Sequence, residues 1–324
     1  MLDWYSCKEA KKSMKLFLKK FSIYFFFILL IAYVYFAKLD VKTILDVFLS
    51  LSIYNIIILL GLYILLSFVL IGNKFYLFNS FGYKMSIRNL TLIHFASLTA
   101  NYSTPAKIGY PLAVFLFKKL EKVPYVTSSS IILIELFISM GICGAITIIG
   151  ASELIKIDYS WLLSFFPFLL FGVLLLCLMI SVFWNRLWNS KMIILLKEVF
   201  SGIKSLKWAS LVVYTILMII NRLGGSFLFL VIVLILGGKI NYAEALIISS
   251  ASFFLGSISM IPLGLGVKEG TTLFFLNYYG ISNEVSVGII TLDRVISTAL
   301  SYVLGLFAGG MLGIKSIKTN SYIN

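Results

Sequence analysis

The sequence predicts an all-α, polytopic membrane protein, and three observations carry that prediction. Hydrophobic residues make up 60% of the 324-residue chain and charged residues 12%, with a mean hydropathy of +1.03, far outside the range of soluble domains. The apolar residues gather in runs long enough to cross a bilayer. The basic residues fall between those runs and favour one set of alternating loops, which sets an orientation.

Taken in order, the run 21–37 follows a lysine-rich start, but it is long and no small-residue cleavage site follows it. It is expected to be a retained first span. The runs 51–71, 125–150, 161–183, 208–236 and 285–313 supply five more spans. Two apolar stretches remain, 89–117 and 245–279, interrupted by Pro105-Ala106-Lys107-Ile108-Gly109 and Pro262-Leu263-Gly264-Leu265-Gly266. Helix breakers at membrane depth free backbone groups that cannot face lipid, so such breaks persist only inside protein or beside a polar cavity. Each stretch is therefore expected to be a re-entrant helical hairpin, entering and leaving on one side.

Each half then runs span, span, broken hairpin, span. Three crossings is an odd number, so the second copy is inverted. Pro105 and Gly109 recur at the same spacing as Pro262 and Gly266, and Glu135 within Ile131–Ser139 recurs as Asp293 within Ile289–Ser297. The expected organisation is a single membrane domain over 1–324: first inverted-repeat half 1–150, second half 151–313, and a cytoplasmic tail 314–324.

The formal net charge is +14. Of the 27 basic residues, nineteen fall on one side: six from Lys8 to Lys20, then Lys74, Lys84, Arg88, Lys118, Lys119 and Lys122, five from Arg186 to Lys207, and Lys315 and Lys318. Lys38, Lys42, Lys156 and Lys239 lie opposite. The positive-inside rule makes the rich side cytoplasmic, which predicts a multi-pass plasma-membrane protein with both termini inside. The excess charge is assigned to anionic inner-leaflet lipids. With no soluble basic domain in view, no nucleic-acid partner is expected.

The chemistry of most enzymes is missing from the pattern. Cys7, Cys143 and Cys177 have no paired spacing, so neither a disulfide framework nor a metal site is expected, and no cofactor is implied. His94 is the single histidine, in a helix where a packed, hydrogen-bonded role is the ordinary one. The outer loop bearing Asp40 and Asp46 is too short to hold a metal and a sugar. No catalytic set emerges, and the chain is not expected to be an enzyme.

What remains is charge inside apolar segments: Lys107, Arg222, Lys268 and Arg294, with Glu135, Glu269 and Asp293. Each costs about 2.5–3.5 kcal/mol at the centre of a span, so they should face a cavity and pair. Lys107, Lys268, Glu269, Arg294, Glu135 and Asp293 are the candidate substrate-binding residues, with Pro105, Gly109, Pro262, Gly264 and Gly266 as the breaks that shape the site. Asp293 and Arg294 are adjacent and diverge by about 100° on a helix, so Arg294 must seek Glu269, Glu135 or a ligand. Arg222, beside Asn221 and before Gly224-Gly225, sits where a kink is expected. Half-helices beginning at the breaks would aim free N–H groups and the positive end of the dipole at the cavity, which with the cations suits a phosphate.

The run Pro262-Leu263-Gly264-Leu265-Gly266-Val267-Lys268-Glu269 resembles the Pro-Gly-Gly-x-Gly-Val-Arg-Glu segment of the lysylphosphatidylglycerol synthase transmembrane-region family, and a helix bearing Arg294 follows at the matching distance. The segment from Asn101 through Pro105, Lys107 and Gly109 is similar to the family's Asn-x-x-x-Pro-x-Arg-x-Gly-Glu, and Glu135 falls where the family has a Glu-Arg pair. The chain departs from the family at Tyr110 (usually Glu), Ala113 (often Arg), Leu136 (Arg) and Ser139 (near a usual Asp), which strips the first-half motif of charge. The resemblance implies a stand-alone, flippase-like protein with two re-entrant hairpins, moving an anionic lipid or lipid-linked headgroup of phospholipid or polyprenyl-phosphate type across the bilayer. A synthase domain is not expected in a chain already committed to spans. The competing expectations are a non-transporting scaffold for envelope polymer or lipid assembly and, behind it, a membrane-embedded lipid-modifying transferase. A second copy of the chain or an envelope-biosynthesis protein is the candidate protein partner.

Overall fold

The computed structural model describes residues 51–104, 107–154, 198–203, 206–259 and 261–320, and these are helical apart from short connections. The expected spans 21–37 and 161–183, and Pro105, lie outside the described residues. The first described helix, α1 (Ile53–Ser80), starts at Ser52, whose hydroxyl accepts from the Tyr54 N–H at 3.3 Å, and stops at Gly82, which adopts φ +82°. It extends well past the expected end at 71 because nothing between Gly72 and Phe78 breaks it. One face, with Ile57, Ile64, Leu65 and Phe68, stays uncovered, while Leu59, Ile71, Leu77 and Phe78 are buried.

The segment 89–117 is not one helix. α2 (Ile87–Ser103) ends at Thr104, whose extended backbone is the conformation favoured before proline, and α3 (Gly109–Glu121) begins five residues later. The two helices pack antiparallel. Glu121 at the end of α3 accepts from the Ser86 N–H (3.4 Å) and from Asn89 at the start of α2. At the break, a side chain on Gly109 would strike the Ser97 carbonyl and come within 2.6 Å of the Asn101 side chain, so only glycine permits this approach. α4 (Tyr125–Leu154) follows Pro124.

α5 (Trp208–Ile235) is unbroken, so the expected kink at Gly224-Gly225 does not occur. Gly224 instead fits against the Leu66 side chain of α1. α1 and α5 exchange reciprocal bonds: Asn73 donates to the Leu217 carbonyl at 3.1 Å and Asn221 donates to the Leu66 carbonyl at 3.2 Å.

The segment 245–279 is broken in the same manner. α6 (Tyr242–Ile258) starts with a reciprocal cap in which Asn241 accepts from the Glu244 N–H (2.9 Å) and Glu244 accepts from the Asn241 N–H (2.8 Å). A 3-10 turn at Pro262–Gly264 leads into α7 (Val267–Tyr278), which runs back antiparallel against α6, with Ser252 and Thr272 hydroxyls 2.7 Å apart. The last crossing is α8 (Asn283–Arg294), a π-helical turn at Val295–Ala299, and α9 (Leu300–Asn320).

Helices of one half cover those of the other. α9 packs on α2, with Gly305 against Thr99 and the Phe95 carbonyl, and α4 packs on α6, with Gly144 and Gly150 facing Phe254 and Ile247. Small residues at such crossings let backbones approach where no aqueous hydrophobic drive exists. Among the described residues four helices are long and apolar enough to cross a membrane: Ile53–Ser80, Tyr125–Gly150, Trp208–Ile235 and Asn283–Gly313.

Candidate functional site

The second break is held by charge. Leu263, Gly264 and Gly266 take φ of +60°, +64° and +79°, and Gly264 lies so close to Gly256 that a Cβ there would sit 2.9 Å from its Cα. One oxygen of Glu269, in the first turn of α7, accepts from the Gly266 N–H at 2.8 Å, and the other pairs with Arg294. Arg294 also donates to the Leu263 carbonyl at 3.1 Å. Beside it, Lys268 Nζ meets Asp293 Oδ2 at 2.8 Å. Two adjacent pairs thus bridge α7 to α8 in matched order. Because neighbours on a helix diverge, Asp293 and Arg294 take different partners, and of the three expected for Arg294 it is Glu269. All four side chains retain 19–26% exposure, so the clamp is partly open rather than sealed.

Hydroxyls continue from this clamp. Ser297 donates to the Asp293 carbonyl (2.6 Å), Ser301 donates to the Ser297 carbonyl (2.6 Å), and Tyr63 reaches the Ser301 hydroxyl from α1. The π turn lies within this run, directly after Arg294. Such turns disturb the helical ladder and recur at functional positions.

Lys107 stands apart from both pairs. It sits in the left-handed region at φ +53°, two residues after Pro105, as Gly264 sits two after Pro262. Its Nζ donates to the Ser257 carbonyl of α6 at 3.3 Å, bridging the first break to the end of the helix that precedes the second. Lys107 thus meets the helix before the second break through a backbone carbonyl and not through Glu269 or Asp293. Lys107 and Arg294 serve backbone carbonyls exposed where helices stop, a job that a broken membrane helix must fill.

Glu135 is likewise not with Arg294. It pairs at 3.1 Å with Lys74, which the charge count had assigned to the cytoplasmic face. Because α1 continues past 71, Lys74 lies within the helix and turns inward, with its side chain 16% exposed. This pair borders a cavity of about 260 Å³ lined by residues of α1 to α6. Arg222 enters from α5, with the Cys143 thiol in hydrogen-bonding reach and its guanidinium 5.8 Å from the Phe253 ring centre. Two polar atoms on the wall are buried without a hydrogen-bond partner, Arg222 Nε and Asn101 Oδ1. Tyr110, Ala113, Leu136 and Ser139 line the same cavity.

Sequence reasoning missed Lys74 and left Arg222 open. The missing signal for Lys74 was α-helical spacing: α1 carries it on the buried face with Ile71, Leu77 and Phe78. For Arg222, the neighbouring Gly225 was the clue, since it marks space on the cavity wall rather than a bend. Among the described residues no group of three or more His, Cys, Asp or Glu side chains could hold a metal ion.

A relative, a UPF0104 membrane protein of Pyrococcus horikoshii, is 33% identical over 87 residues, covering 27% of this chain and 25% of its own length. The match thus spans about a quarter of that relative. A family model, described as the lysylphosphatidylglycerol synthase TM region, matches residues 20–305. The matched stretch runs through both helix breaks, the three ion pairs described above and the cavity, and the chain belongs to the lysylphosphatidylglycerol synthase transmembrane-region family.

Proposed function

We propose that this protein translocates an anionic lipid or lipid-linked headgroup, of phospholipid or polyprenyl-phosphate type, across the plasma membrane, with α2–α3 and α6–α7 as re-entrant hairpins of an inverted repeat. The observation that carries the reading is the contact between breaks: Lys107 of the first reaches the helix end before the second. The repeat is supported by the packing, since α2 on α9 answers α6 on α4, and by the reciprocal asparagines of α1 and α5. Inverted repeats meeting at broken helices are a transporter architecture.

In this reading both termini are cytoplasmic, the protein performs no covalent chemistry itself, and the second-break clamp and the cavity form successive parts of one headgroup path. The test is translocation of headgroup-labelled phosphatidylglycerol and of a labelled polyprenyl phosphate in proteoliposomes. Transport of either probe by the wild type, lost in a folded Arg294→Met variant, is the expected outcome. Transport of neither would move the assignment to a membrane scaffold.

A further inference from the structure

Deepening the translocation reading, on which only the carrier of the ligand rests, we infer that the cavity between α1 and α6 is a binding chamber for a phosphate-bearing group, with Arg222 as its anion-binding residue. The other cations within the apolar helices and breaks are already engaged by an acceptor. Lys268 is matched by Asp293, Arg294 by Glu269 and the Leu263 carbonyl, Lys107 by the Ser257 carbonyl, and Lys74 by Glu135. Arg222 has no carboxylate within ion-pair distance among the described residues; a thiol and an aromatic face stand against it, and the Asp293 carboxylate, already paired with Lys268, and the Tyr242 hydroxyl act on it only through space.

A guanidinium at this depth is costly unless something balances it. Lys74 and Glu135 cancel, so the chamber wall keeps one unmatched positive charge. Arg222 Nε is a buried donor with no acceptor, and Asn101 Oδ1 is a buried acceptor with no donor. Together they match an oxyanion beside a hydroxyl or amine, the ends of a substituted phosphate ester. A volume of about 260 Å³ admits a headgroup and excludes a whole lipid, whose chains would remain among the helices.

The chamber also contains its own steric test. Gly225 lies on its wall, and a Cβ built there meets no atom within 4 Å, so Gly225→Leu starts a side chain into open space and replaces a poor helix former by a good one. The experiment is native mass spectrometry of the full chain in detergent, titrated with dioleoylphosphatidylglycerol, with dioleoylphosphatidylcholine as the zwitterionic comparison and glycerol 1-phosphate as the free-phosphate arm.

The wild type is expected to prefer phosphatidylglycerol. Arg222→Met and Gly225→Leu should each weaken it about tenfold or more, with Arg222→Lys between, as loss of a buried charge-assisted bond requires. Displacement of the lipid by glycerol 1-phosphate would identify the phosphate ester itself as the recognised group; binding of the lipid alone would make the bilayer-borne headgroup the ligand. Wild type that binds neither, or Gly225→Leu and Arg222→Met both within twofold of wild type, overturns the inference. If Arg222→Met fails to fold, Gly225→Leu decides. Transport that needs Arg294 but not Arg222 removes the chamber alone, whereas Arg222-dependent binding without transport removes the translocation reading alone.

Discussion

Breaking the clamp at the second break should cost stability in a non-additive way. Arg294→Met deletes one bond to Glu269 and one to the Leu263 carbonyl. Hydrogen bonds to charged groups contribute about 1.5–3 kcal/mol each, so the gross loss is about 3–6 kcal/mol. Both ionised side chains keep about a fifth of their surface exposed, so water recovers part of this, and a net loss of about 2–4 kcal/mol is expected. Glu269→Gln retains an amide oxygen for the Gly266 N–H and should cost about 1–2 kcal/mol. The double variant leaves no buried ion behind, so it should cost less than the sum, with a coupling of about 1–2 kcal/mol. Equilibrium unfolding in mixed micelles with rising dodecyl sulfate, on all four proteins, measures that coupling. Additive single effects, with coupling below about 0.5 kcal/mol, would refute the clamp.

Leu263 occupies φ +60°, so Leu263→Gly should stabilise the protein by about 1–2 kcal/mol, while Gly264→Ala, strained at φ +64° and crowded by Gly256, should destabilise it; the same unfolding assay reads both. Hydrogen exchange at Lys107–Gly109 should be about tenfold or more faster than at Leu263–Gly266, because among the described residues the first break has one cation–carbonyl bond and the second a carbonyl bond, an N–H bond and an ion pair. Cysteine labelling should reach position 320 only from the cytoplasmic side, and labelling from outside would end the assignment of both termini to the interior.

The positions of the breaks were legible because proline and glycine act locally: Thr104 must be extended before Pro105, and Gly264 and Gly266 need positive φ whatever surrounds them. The partners of the charges were less legible. Helical geometry correctly separated Asp293 from Arg294, but it could not say that Glu135 would meet Lys74, because that contact depends on α1 outlasting its most apolar stretch by two turns. Hydropathy locates the lipid-facing part of a helix, and Lys74 belongs to a continuation that faces protein. The glycines beside Arg222 predict a kink, whereas in a membrane bundle small residues more often set close helix contact, as Gly224 does against Leu66.

The two halves share a backbone plan but not a means of holding it. With Pro105 set on Pro262 and Gly109 on Gly266, the positions matching Lys268 and Glu269 are Pro111 and Leu112; with Glu135 set on Asp293, one residue out of that register, the position matching Arg294 is Leu136. Only Glu135, opposite Asp293, keeps its charge, and it has turned to Lys74. The ion clamp therefore belongs to the second break alone. Among the described residues, the first is held by the glycine contact of Gly109 and by one lysine lent to the other half. That lysine sits at φ +53°, a conformation costing about 1–2 kcal/mol that glycine would avoid, so its side chain must return more than the backbone loses. An element held by few bonds and some strain is the one that opens first. It is also the hairpin whose α3 lines the cavity through Tyr110 and Ala113, so the break with the weaker hold is the one that borders the chamber with the unmatched charge.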